Sequence, residues 1–444
     1  MSLPVALLVV LCALSVPASA LGHATLVGAQ PPPNSTRTTP PDRLRMIFRT
    51  AVEDGLTQVE VRVDGSIVSA TVERDPADDH AIDVTLGSHP PGSYDIRWRT
   101  LSVDGHVAAG RYGLAAGVSA SGQNTPAPPS FDPGPLTVAG RTMLLSGLAG
   151  LAGLGAFLVI VLRSALGSLG VDDRSAVSLS HGLRRFRVAS LACTVVAGIG
   201  VGLVAAGVVR ALAGGVSVGD LVGTRIATAW SVICAALALT IVALTVARIR
   251  PTTWPWVGTA TATLGGLGLI ALSWSGHAGS GSDAGLGIAV DAVHGFATAT
   301  WFGGLVGLAF ITATLSRGLA PEVSTRVVAA VVVRFSSLAV VSVATLVVTG
   351  LYRALAEVGS PDALVSTSYG RILFVKLSVF LVLLSVGAVN RFLVHPRLER
   401  AAMGLSPDDR GATELLRRSI KLELLLAAAL LVAVGALVSF SPTR

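Results

Sequence analysis

Two residues apart in the stretch SVDGHVAAGRYGL, Asp104 and His106 offer a carboxylate and an imidazole. In an extended strand both side chains project on the same face. Such a pair can ligate a divalent metal, and imidazole suits copper and zinc. The same VDGH reads as well as a polar turn in which Asp104 bonds backbone amides. His23, in LGHATLVGAQPPP, adds a third donor if it stands at the start of a processed chain. The residues before it, an apolar run PVALLVVLCAL and then small residues, have the layout of a secretory signal over residues 1–22. Cleavage after Gly22 frees the His23 amine and imidazole to chelate one metal, with Asp104 and His106 completing a tetragonal Cu(II) sphere. Cleavage after Ala20 leaves Leu21-Gly22-His23, which also holds Cu(II), through its amine, two amide nitrogens and the histidine. The two products predict different ligand sets.

A second group of ionisable residues lies in apolar sequence, where charge is costly and marks function by default. His277 in SWSGHAGSG falls at the outer end of one expected span, and Asp291 and His294 in VDAVHGFATATWFGGL fall in the first turns of the next. Asp291 and His294, three apart, share a helix face that Thr298 and Trp301 continue. With Tyr352, Arg353 and Lys376 they form an expected polar cluster, in which His277, Asp291 and His294 are candidates for a copper relay. The bland alternatives are that His277 is a loop residue, Asp291 caps a helix and Lys376 snorkels to the interface. Cys193 and Cys234 are thiols in apolar helices, more often small packing residues than Cu(I) ligands. His80 and His89 read as solvated loop residues, and Glu423, at the cytoplasmic start of the last span, as too far from the outer cluster to pair with Lys376.

These residues need two kinds of scaffold. Residues 23–117 carry short alternating runs (LRMIF, QVEVRV, SIVSATVE, AIDVTL, YDIRWRTLS, GRYGLAA). Val59, Val61 and Val63 share one face, and Asp64-Gly65 supplies a tight hairpin turn. Six or seven such strands predict a small all-β antiparallel sandwich. It contains no cysteine, so no disulfide holds it. Residues 118–137, rich in Gly, Pro and Ser, predict a linker. Residues 138–444 predict an all-α polytopic membrane domain. Eight apolar runs, at about 138–162, 188–209, 226–247, 255–274, 288–315, 331–351, 372–394 and 423–440, are each long enough for a bilayer that needs roughly 20 helical residues. A chain that is 52% hydrophobic and 13% charged agrees. If the sandwich is exported, the loops after spans one, three, five and seven are cytoplasmic. Those loops and their flanks carry seventeen Arg or Lys, against five on the other side. This supports both mature termini outside a bacterial plasma membrane. The net charge of +7 forms no concentrated basic patch, which excludes a nucleic-acid partner.

HATLVGAQPPPNS together with YDIRWRTLSVDGHVAAGRYGL resembles the periplasmic copper-resistance protein C (CopC) family over about ninety-five residues. That resemblance implies a Cu(II) site at the matching His23, Asp104 and His106. The Met-rich Cu(I) segment of some members is missing, since Met46 is the only methionine between His23 and the linker. SGHAG, DAVHGFATATWFGGL, RFSSLAVVSVATLVVTGLYRA, YGRILFVKLSVFLVLLSVGAVNRFLVHPRL and LRRSIKLELLLAAALLVAVGALVSFSP look like the copper-resistance protein D (CopD) membrane family, most strongly after span four. Fusion of the two is an arrangement typical of bacterial copper-import proteins.

The expectation is therefore a non-enzymatic membrane protein that captures Cu(II) outside the cell and moves copper inward, with Cu(I) as the form in the membrane domain. Its partners would be copper ions, the lipid bilayer and a copper chaperone or reductase. No phosphate-binding GxxxxGK[ST] motif is present to power it. The competing expectations are a sequestration or resistance module, and a membrane-anchored oxidative enzyme, because an N-terminal histidine also holds copper in mono-oxygenases.

Overall fold

The computed structural model describes residues 26–88, 90–118, 134–169, 176–212, 216–250, 253–280, 283–315, 321–358, 360–403 and 409–439. The expected signal, His23 and His89 lie outside these residues. Alternation along the first hundred residues produces nine strands: β1 (Leu26–Gln30), β2 (Thr36–Arg37), β3 (Arg43–Phe48), β4 (Gln58–Val63), β5 (Ser66–Val68), β6 (Ala70–Arg74), β7 (Ala81–Leu86), β8 (Gly92–Leu101) and β9 (Val107–Ala116). They make one sheet in the order β1-β3-β7-β6 and another in the order β2-β9-β8-β4-β5, antiparallel throughout except for the β2–β9 pair. The β4–β5 turn falls on Asp64 and Gly65, both at positive φ, as a two-residue hairpin of this hand requires. The run SIVSATVE is divided between β5 and β6, which belong to different sheets. Leu44, Met46, Phe48, Val61, Ile96 and Leu114 are buried between the sheets, and Trp98 packs edge-on against Phe48 with ring centroids 5.0 Å apart.

The rest of the described chain is helical, with eight helices long and apolar enough to cross a membrane. α1 (Gly134–Ser168) is interrupted by a π-helical turn at Phe157–Leu162. There follow α2 (Ala176–Ala211), α3 (Arg225–Ile249), α4 (Trp254–Ser275), α5 (Ala284–Leu315) and α6 (Pro321–Val358). α7 begins at Ser368–Val389 and continues through a π-helical turn at Asn390–Val394 into His395–Ala402; α8 is Asp409–Leu437. α1 is the central helix, packed on α2, α4, α5 and α8. Its small residues allow this. A methyl group on Gly153 would fall onto the carbonyl oxygen of Ala299 in α5, so the two backbones touch where a side chain would part them.

The sandwich rests on the ends of α2 and α3. Leu56, Leu101 and Val107 form one apolar cluster with Val204 and Val208 of α2, Leu212 just after it, Leu221, and Ile226 and Trp230 of α3. At the start of α3 the Thr224 side chain accepts from the Ala227 amide, and the Glu53 carboxylate of the sandwich accepts from the Arg225 amide at 2.9 Å. An acidic group at a helix N-terminus is favoured by the unpaired amides there.

Candidate metal centre between the sandwich and the helices

Asp104 and His106 do not lie in a strand. They belong to the tight turn that joins β8 to β9, and this corrects the extended geometry expected from their spacing. The turn is closed by Ser102 N to His106 O at 2.9 Å and by Gly105 N to Ser102 O at 2.9 Å. Gly105 has φ 77°, the left-handed residue a three-residue hairpin loop needs. The polar-turn reading of VDGH holds in it. Asp104 Oδ1 accepts from the Ser102 hydroxyl and, at 3.3 Å, from the His106 amide, while His106 Nδ1 stands 3.3 Å from the same oxygen. The backbone bonds that define the turn hold the carboxylate beside the imidazole.

The turn points at the helices. Immediately after α4, a 3-10 turn at His277–Gly279 places His277 Nδ1 3.0 Å from Asp104 Oδ2. The His106 and His277 rings stack at 4.5 Å between centroids. One ligand atom from each of Asp104, His106 and His277 lies within 4.8 Å of the others, and no other group of three potential ligands this close is found among the described residues. Asp104 is 3% exposed and His106 9%, so the carboxylate and the imidazole are withdrawn from solvent into the seam.

A cation already stands there. Arg141 of α1 places Nη1 2.6 Å from His106 Nε2, donates to the carbonyl of Val438 just past the end of α8, and donates through Nη2 to Gly105 O at 3.1 Å. Burial, reinforced by Arg141, pushes the His106 pKa down to about 4 against the opposing pull of Asp104. His106 is therefore neutral at physiological pH. Its Nε2 faces both Arg141 Nη1 and, at 3.0 Å, the carbonyl oxygen of Val438.

The other candidate residues are distributed differently. Asp291 of α5 forms an ion pair with Arg353 of α6, which also donates to Glu357 Oε1 at 2.9 Å; Tyr369 of α7 donates to Glu357 as well. His294 Nδ1 lies 2.8 Å from Thr349 Oγ1. The structure thus brings His277 into direct contact with Asp104, and gives Asp291 and His294 partners within the helices. Glu423 is buried beside Asn390, which also accepts from Ser419 at 2.5 Å. Cys193 packs against Gly150, and His80 is half-exposed with Nδ1 3.1 Å from Phe48 O. Sequence reasoning missed Ser102 and Arg141. Arg141 carried a signal, as an arginine in the first turns of an apolar span. For the contact with His277 no local signal exists, because Asp104 is 173 positions away.

Comparison with known proteins agrees with this two-part construction. Residues 26–116 match the CopC domain, and residues 329–437 match copper resistance protein D. The chain carries a CopC domain, the antiparallel sandwich, followed by a CopD domain that lies within its eight candidate membrane-spanning helices. Over 394 residues it is 26% identical to the copper transport protein CutJ of Bacillus subtilis, covering 85% of this chain and 69% of that one. It is also 32% identical over 174 residues to copper resistance protein D of Pseudomonas syringae pv. tomato, covering 38% of this chain and about half, 54%, of that relative. The crystal structure of CopC from Methylosinus trichosporium OB3b aligns at 22% identity with a TM-score of 0.20, over 22% of this chain and 95% of that one.

Proposed function

We propose that this chain imports copper: the sandwich captures Cu(II) outside the cell and hands the metal to the helices, which carry it inward. One observation carries the reading. The Asp104–His106 pair, matching the positions expected to hold Cu(II), is turned toward the membrane region and meets His277 there. A carboxylate and two imidazoles form a donor set suited to Cu(II). His23 adds its amine and imidazole when it is the first residue of the processed chain. The excess of arginine in the loops opposite the sandwich supports an outward-facing sandwich, with both mature termini outside. In this reading the chain is not an enzyme. A reductase or chaperone converts or accepts the ion, because a soft ion and softer ligands ease passage through an apolar region.

Cellular copper measured under scarcity tests the direction. A strain lacking the protein, complemented with Asp104→Asn or His106→Ala, should accumulate less copper than one complemented with the unchanged chain. Equal accumulation would overturn import, and greater accumulation with copper sensitivity would establish a resistance role instead.

A further inference from the structure

We propose that the two halves share a single hand-over site, in which His277 ligates copper together with Asp104 and His106, and that Arg141 holds this site until the ion displaces it. The proposal rests on the reading above that copper is the cargo captured by the sandwich.

The first support is geometric. The donors come from a β-hairpin and from the turn after α4, yet their ligand atoms lie within 4.8 Å of one another and Asp104 touches both imidazoles. The seam that holds them is built: Glu53 accepts from the Arg225 amide, Arg225 donates to Gly279 O at 2.8 Å, and Ile226 packs under Gly105. Gly279 belongs to the same turn as His277, so the contacts that dock the sandwich also position the third ligand.

The second support is Arg141. A carboxylate 3% exposed needs a compensating cation. The guanidinium lies 2.6 Å from His106 Nε2, one of the two ring nitrogens through which this imidazole would bind a metal, and it bonds the carbonyls of Gly105 and Val438 around it. A divalent ion and a guanidinium cannot both occupy that position, because like charges in a low-dielectric seam repel strongly. Copper entering the site therefore expels Arg141, releasing α1 from the chain end that follows α8. When the ion moves on, Arg141 returns and restores neutrality to Asp104. The arginine thus opposes back-transfer to the sandwich.

The test uses the full chain in detergent micelles, one equivalent of Cu(II), a competing chelator for affinity, and pulsed EPR to count imidazole nitrogens on the metal. His277→Ala and His277→Gln should each lower affinity about tenfold or more and remove one imidazole from the count. Gln keeps a donor for Asp104, so its loss of affinity reports ligation and not docking. Arg141→Met should raise affinity about tenfold by removing the competing charge. Arg141→Gln, which keeps hydrogen bonds to the two carbonyls, replaces it if the Met variant does not fold. An unchanged imidazole count in His277→Gln overturns the shared site. Equal or weaker binding in the Arg141 variant overturns displacement. If Asp104→Asn and His106→Ala also bind Cu(II) like the unchanged chain, the copper reading of the sandwich itself fails, a separate result.

Discussion

Gly105 sets the turn that brings Asp104 beside His106. At φ 77° an L side chain is disfavoured by about 1–2 kcal/mol. A methyl group there would also stand 2.5 Å from Ile226 Cδ1, so the turn must lift from α3 or Ile226 must move. Gly105→Ala should lower the melting temperature of the full chain and weaken Cu(II) binding as His277 and Asp104 separate, both measurable in one preparation. This residue also marks what the sequence could disclose. The spacing of Asp104 and His106 announced a carboxylate–imidazole pair, and the two groups do lie side by side, although a turn, not a strand, brings them together. Local patterns cannot reach His277 and Arg141, whose place beside that pair is made by tertiary docking.

At the scale of elements, the eight spans were legible because roughly 20 apolar residues in a row have few other uses. Their ends were less so. α1 starts at Gly134, before the apolar run, and α6 runs to Val358, past it, since hydropathy sees the hydrocarbon zone and not the turns beyond it. β1 and β2 escaped notice: the register of β1 slips between Leu26 and Gly28, and β2 is a single pair of exposed residues. The bond from Glu53 to the start of α3 also lay outside pattern reading, and it carries a pH signature. Burial raises the Glu53 pKa, with the Arg225 amide opposing. A raised carboxyl pKa means that the docked state holds the proton more readily than the undocked one. Its stabilising contribution is therefore full below the ordinary carboxylate range and is lost as pH rises through the raised value. Glu53→Gln keeps an acceptor for the amide and removes the buried charge. It should melt on the order of 1–3 °C higher than the unchanged chain at pH 7, with the gap closing toward pH 4, as followed by thermal unfolding. A gap of opposite sign at pH 7 would mean that the pull of the helix end on the charge exceeds the burial cost.

For the whole molecule, docking sets the sandwich against the helices through one apolar seam, and the proposed hand-over depends on that seam. Leu56 is suited to separate the two, because it belongs to the apolar cluster of the seam, with Leu212, Ile226 and Trp230, and not to the core between the sheets. An aspartate at this buried position would have no partner and would favour the undocked state, while Leu44, Met46 and Ile96 keep the sandwich folded. Leu56→Asp should therefore leave the β-sheet circular dichroism in place. Copper affinity should fall to that of His277→Gln, and cellular accumulation should drop with it. Non-additivity decides the cause. If the seam acts only by presenting His277, the double variant Leu56→Asp/His277→Gln binds Cu(II) no more weakly than either single one. If the two losses add, the seam supports the sandwich ligands independently, and the membrane region is then a platform for a site it does not share.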